Sequence, residues 1–139
     1  MPLLALLRSF FRSDYGISLV IALSWQGVFT AVGAVLGGGS NILSHTVHWD
    51  AGWYLHIISS AYGSDGSPAA PVFYPLFPLL VGSLSFVTFG LIGNVPAALI
   101  INTAALWLAL VALLRILQHF TVSRNARMAA IMLFLTFPS

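Results

Sequence analysis

The sequence predicts an all-α integral membrane protein: a multi-span helical bundle with an extracytoplasmic loop that carries a short interfacial helix. Three observations lead there. Of 139 residues, 59% are hydrophobic and only 6% charged, against roughly 25% charged in soluble domains, and the mean hydropathy is +0.98. The apolar residues collect in stretches long enough to cross a bilayer, which takes about 20 residues of helix. The polar residues gather between the first two of those stretches. The basic residues are five arginines set against three aspartates, so the high pI reflects few charges rather than a basic surface, and nucleic-acid binding finds no support. No cysteine is present, which excludes disulfides, thiolate catalysis and cysteine-based zinc sites.

The elements follow in order. Tyr15 to Leu36 is uncharged and of spanning length. It is too long for a signal-peptide core and is read as a retained span, ended by Gly37, Gly38 and Gly39. Residues 37–71 form the loop. A second span is expected over 72–93, with Pro75 and Pro78 at its entrance, where a helix start tolerates proline. A third is expected over 95–117, with Pro96 in its first turn. A basic loop follows, "LQHFTVSRNAR", and a fourth span starts at about Met128. The chain stops within that apolar run, so residues 1–139 are read as one membrane domain, incomplete at its C-terminus.

Arg8 and Arg12 flank the first span, which the positive-inside rule assigns to the cytoplasm. Three true spans later, Arg124 and Arg127 fall on the extracytoplasmic side with the polar loop. Both basic clusters are cytoplasmic only if 72–93 dips into the bilayer and returns. The three-span reading is the expectation, because non-helical backbone at membrane depth needs burial.

Within the loop, "HTVHWDAGWY" (His45–Tyr54) concentrates aromatic and ionisable side chains. From Trp49 onward apolar residues recur at helical spacing (Trp49, Trp53, Tyr54, Ile57, Ile58, Ala61), a short helix suited to the interface that tryptophan and tyrosine favour. Asp50 has two readings on spacing: an N-cap accepting from the N–H groups of Gly52 or Trp53, or an active-site carboxylate acting as general base. His45, His48 and His56 do not make a metal site by spacing, since His48 and His56 stand two helical turns apart with no HExxH or carboxylate pair beside them. Asp65, between Gly and Ser, reads as a turn former. Gln26, Asn102 and Thr103, inside spans, are expected to hydrogen-bond between helices or to line a cavity.

A span, then "HWDAGWYLHIISSAYG", then "PVFYPLFPLLVGSL" opening the next apolar stretch resembles the glycosylphosphatidylinositol mannosyltransferase II (PIG-V) family and its bacterial relatives. The matching positions are Trp49, Asp50 and Ala51, then Trp53, Tyr54, Ile57 and Tyr62, and Tyr74 through Pro78. The resemblance runs from about Leu43 to the chain end. Gly52 and Trp53 depart from the polar residue and histidine often found after Trp-Asp-Ala, and Asp65 alone can supply the acidic residue common between the motifs.

The resemblance implies the N-terminal portion of a GT-C-type glycosyltransferase in a bacterial plasma membrane, or in the endoplasmic reticulum membrane of a eukaryote. Its donor would be mannose on a polyprenyl or dolichyl phosphate, its acceptor a glycolipid or glycan hydroxyl, with membrane lipid around it and no cofactor. Asp50 would be the base. Candidate substrate-binding residues are His48, Arg124 and Arg127 toward the donor phosphate, and Trp49, Trp53, Tyr54 and Tyr74 toward sugar or interface. Contact with lipid headgroups is the other reading of the arginines. Two functions of other classes stand beside this one. A transporter or channel subunit is disfavoured because no ionisable residue lies deep in a span. A structural membrane protein would use the loop as an anchor only. Further spans beyond Ser139 would distinguish an enzyme from a small scaffold.

Overall fold

The computed structural model describes residues 2–36, 50–62, 73–120 and 123–136. These form six helices: α1 (Pro2–Arg12), α2 (Asp14–Leu36), α3 (Asp50–Ser60), α4 (Leu76–Val87), α5 (Asn94–His119) and α6 (Arg124–Thr136). No strand occurs among the described residues. Two helices are long and apolar enough to cross a membrane, Asp14–Val35 and Asn94–His119. Only 11% and 17% of their most apolar windows are buried, unlike the core helices of a soluble protein, whose apolar faces are covered. The chain divides into two compact units, residues 1–24 with 104–139, and residues 25–103.

The first unit opens with a helix the sequence reading did not anticipate. Arg8 lies within α1 rather than on a bare flank of the span, and Leu6, Leu7, Phe10 and Phe11 recur there at helical spacing and are exposed. Ser13 separates α1 from α2 and caps the latter: its Oγ accepts from the Gly16 N–H at 3.3 Å. Gly16 is buried against the end of α1, where a β-carbon would lie 2.2 Å from the Phe10 carbonyl oxygen. The core of the unit is Ala22, Leu110, Leu114 and Ile131, with Leu106, Trp107 and Leu135 packed on it.

Polar contacts tie the start of α2 to the C-terminal half of α5. The Trp107 indole N–H donates to the Tyr15 carbonyl oxygen at 2.9 Å. The Arg115 guanidinium donates to the Tyr15 hydroxyl, and the Gln118 amide donates to the Asp14 carboxylate. Helix α6 begins at Arg124, four residues before the expected start, because Ser123 caps it: its Oγ accepts from the Ala126 N–H at 3.3 Å.

In the second unit, α3 and α4 pack against each other. Ile57, Pro78 and Val81 are buried there, and Gly82 approaches the Ile58 side chain. The expected span over 72–93 contains only α4, 12 residues long, or about 18 Å of helix against about 30 Å of hydrocarbon. Its stop is local. Thr88 turns its hydroxyl back to the Leu84 and Ser85 carbonyls. The Gly90 N–H then reaches the Ser85 oxygen at 2.9 Å and the Phe89 N–H the Phe86 oxygen at 2.9 Å. This is a Schellman closure with Phe89 left-handed at φ 52°. A strong apolar run hid that stop.

The interhelical role expected of Gln26 and Thr103 is also corrected. Thr103 Oγ1 donates to the Leu99 carbonyl of its own helix at 2.7 Å, and Gln26 Nε2 meets Thr30 Oγ1 at 3.4 Å, one turn on. A hydroxyl within reach of the carbonyl four residues back satisfies itself there first.

Candidate functional site

The two motifs singled out in the sequence meet in the second unit. Helix α3 starts at Asp50, so "DAGWY" forms its first turn and Trp53 and Tyr54 project where the segment 73–78 returns. Phe73 stacks on Trp53 with ring centroids 6.1 Å apart and planes 20° apart. Tyr54 takes edge-on contacts at 5.1 Å from both Phe73 and Phe77. Offset-stacked and T-shaped pairs at such separations are the favoured aromatic geometries. The Tyr62 hydroxyl, at the end of α3, donates to the Phe73 carbonyl at 2.8 Å and ties the two motifs a second time.

Beside this clasp lies a cleft of about 440 Å³. Its lining comes from Ala51, Tyr54 and Leu55 of α3, Phe77 of α4, and Val95, Ala98, Leu99 and Asn102 of α5. It is apolar apart from the Asn102 amide and the Tyr54 hydroxyl, in keeping with the cavity-lining alternative for Asn102. Asp50 precedes the lining residue Ala51 and is exposed. Among the described residues its carboxylate takes no hydrogen bond from Gly52 or Trp53, the cap that the spacing allowed. It stands as the first residue of the helix rather than before it.

No family model matches the sequence, and no curated protein or solved structure matches it. The site is therefore read from its own geometry.

Of the sequence-predicted residues, Asp50, Trp53 and Tyr54 gather on α3. Tyr74 does not join them: it is 83% exposed and takes no part in the clasp. Phe73 and Phe77 meet α3 instead, and these two rings are the members the sequence pattern did not single out. Phe77 lies in the first turn of α4 and Phe73 three residues ahead of that helix, so helical periodicity carried no signal for the pair. His56 lies on α3 with its ring edge-on to Trp53 at 6.1 Å. His45, His48, Trp49 and Asp65 lie outside the described residues. Arg124 and Arg127 belong to the other unit, on the first turn of α6, with Arg124 exposed and Arg127 half-buried.

The arrangement can bind an apolar body in the cleft with one or two hydrogen bonds to fix it. Asp50, exposed, is the chain neighbour of the lining residue Ala51 and is not itself part of the lining.

Proposed function

We propose that the chain belongs to a multi-span membrane glycosyltransferase of the GT-C type that moves mannose from a polyprenyl or dolichyl phosphate to a hydroxyl of a glycolipid or glycan. The observation that supports this reading is the meeting of the two motifs that resemble the PIG-V family, which give Ala51, Tyr54, Leu55 and Phe77 to the wall of an apolar cleft, with the exposed Asp50 next to Ala51 in the chain. The aromatic clasp joins those motifs through Trp53 and Tyr54 on one side and Phe73 and Phe77, about twenty positions on, on the other.

The chemistry asks little more of the protein. The acceptor hydroxyl is a weak nucleophile near neutral pH. As its oxygen forms a bond to C1 of the mannose, Asp50 takes its proton. The bond from C1 to the phosphate oxygen breaks, and its electron pair leaves with the lipid phosphate. That group is already anionic and requires no acid. A single displacement inverts C1, so a β-linked donor gives an α-mannoside. The cleft supplies apolar surface for the lipid portion, and the Asn102 amide and Tyr54 hydroxyl are donors for sugar or phosphate oxygens.

The test is mannosyl transfer by the full-length protein in membranes, with lipid-phosphate mannose as donor. Asp50→Asn is expected to lower the rate by roughly 10²- to 10⁴-fold, the usual contribution of a positioned base, while donor binding persists. A rate within a few-fold of wild type removes Asp50 from this role.

A further inference from the structure

Charge is divided unevenly between the two units. All five arginines fall in residues 1–24 and 104–139, where Asp14 is the one acidic side chain, whereas residues 25–103 hold Asp50 and Asp65 and no arginine. Within the first unit, Asp14 is engaged by the Gln118 amide and Arg115 by the Tyr15 hydroxyl and ring. Arg8, Arg124 and Arg127 are left to face outward, the first two exposed and the third half-buried.

The Asp14 to Gln118 bond also fixes where these residues emerge. It joins the first residue of α2 to the penultimate residue of α5, the two helices long enough to cross a bilayer. If both cross, those two ends leave the membrane on one face. Helix α1 precedes the one and α6 follows the other, so every arginine collects at that face. Between them, α3 and α4 have 11 and 12 residues, about 16 and 18 Å, and neither is long enough to reverse the sidedness.

Helix α1 has the pattern of a helix lying in the interface. At about 100° per residue, Leu6, Phe10, Leu7 and Phe11 fall within an arc of about 140°, with Arg8 and Ser9 outside it, and the four apolar side chains are exposed. A helix with one apolar and one cationic face lies at the boundary of acyl chains and headgroups and favours anionic lipid.

We propose that the arginine-bearing face of the first unit (α1 with Arg8, and the start of α6 with Arg124 and Arg127) docks on anionic phospholipid headgroups of the cytoplasmic leaflet. The guanidinium fork suits phosphate oxygens. Such residues collect on the cytoplasmic side by the positive-inside rule. The phosphates met by Arg124 and Arg127 are thus those of the surrounding leaflet, and α4 does not cross the bilayer. This inference stands independently of the mannosyl-transfer reading.

The experiment uses the full-length protein with single cysteines introduced at Ser9 and Asn125, residues 1–139 having no cysteine of their own. A membrane-impermeant maleimide is expected to label both from inverted vesicles and neither from intact cells. Labelling from opposite sides overturns the proposal. Lipid preference is then read by spin-labelled phosphatidylglycerol against phosphatidylcholine on the purified protein in bilayers. Wild type should retain phosphatidylglycerol several-fold more strongly, Arg8→Gln/Arg124→Gln/Arg127→Gln should bring the ratio close to one, and the corresponding triple lysine variant should keep most of it. A ratio of one for wild type, or no change in the glutamine variant, overturns the inference. So does a preference confined to polyprenyl phosphate, which would assign the face to the donor. Circular dichroism of each variant establishes that it is folded before its lipid ratio is compared.

Discussion

Arg115 meets Tyr15 twice: its guanidinium donates to the phenol hydroxyl, and its Cζ lies 5.0 Å from the centroid of the same ring. The contact joins residues a hundred positions apart, and with the Trp107 and Gln118 bonds it makes the first turn of α2 the anchor of the first unit. The two parts of the contact can be separated. Tyr15→Phe keeps the ring under the cation and removes only the hydroxyl, which at an exposed site should cost about 0.5–1 kcal/mol. Tyr15→Leu removes the ring face as well and should cost about 0.5–1 kcal/mol more. Unfolding in detergent followed by circular dichroism reads both. Equal losses for the two variants would show that the ring contributes nothing beyond the hydroxyl.

Gly16 marks the tightest approach in the same unit. A β-carbon there would stand 2.2 Å from the Phe10 carbonyl oxygen and 2.6 Å from the Phe11 Cα. Both obstacles are backbone and cannot swing aside as a side chain could. Gly16→Ala should therefore open the junction of α1 and α2 and destabilise the protein by about 1–3 kcal/mol, the usual cost of overpacking. Proteolysis within residues 8–14 should become faster. A stable variant with unchanged cleavage would mean that α1 docks more loosely than this contact requires.

The pairing of Tyr54 with Phe77 holds one wall of the cleft. A double-mutant cycle with Tyr54→Leu and Phe77→Leu retains apolar bulk at both sites while removing the edge-on geometry. The coupling energy should be about 0.5–1.5 kcal/mol beyond the single effects, as for other aromatic pairs. Tyr74→Leu, changing a ring 83% exposed, should leave stability within about 0.5 kcal/mol, as surface substitutions usually do. A Tyr74 effect as large as that of Phe77 would put it in the clasp.

How legible these features were depends on the range of the forces that make them. The long apolar runs at Tyr15–Leu36 and 95–117 announced α2 and α5, because twenty uncharged residues have few alternatives to a helix. The short helix from Asp50 was also legible, through apolar residues recurring three and four apart. Helix α4 was overextended because the stop at Thr88–Gly90 rests on a hydroxyl back-bond and a left-handed phenylalanine, where glycine would be the usual signal. Helix α1 was overlooked since its arginine reads equally as a flanking charge. At the site, Asp50, Trp53 and Tyr54 carried a pattern in sequence, but the choice of Phe73 over its neighbour Tyr74 depends on how the chain returns past Pro75, a three-dimensional fact.

The Tyr62 hydroxyl closes that return. It reaches the Phe73 carbonyl at 2.8 Å across eleven positions of sequence, and both ends of the bond lie at the margins of helices, Tyr62 just beyond α3 and Phe73 just before α4. A bond in such a place fixes two chain ends rather than adding to a core, so its loss should appear locally before it appears globally. Tyr62→Phe removes the donor and leaves the ring. Net stability should fall by about 0.5–1 kcal/mol, as for a partly exposed neutral bond. Amide hydrogen exchange should meanwhile quicken several-fold at Leu79, whose N–H donates to the Pro75 carbonyl at 3.0 Å, and in the last turn of α3, where opening is governed by local rather than global free energy. Exchange at Leu110 and Leu114, buried in the other unit, should not change. Uniform acceleration throughout the chain would instead make this bond part of the global stability, and unchanged exchange at Leu79 would show that the aromatic contacts alone hold the two motifs together.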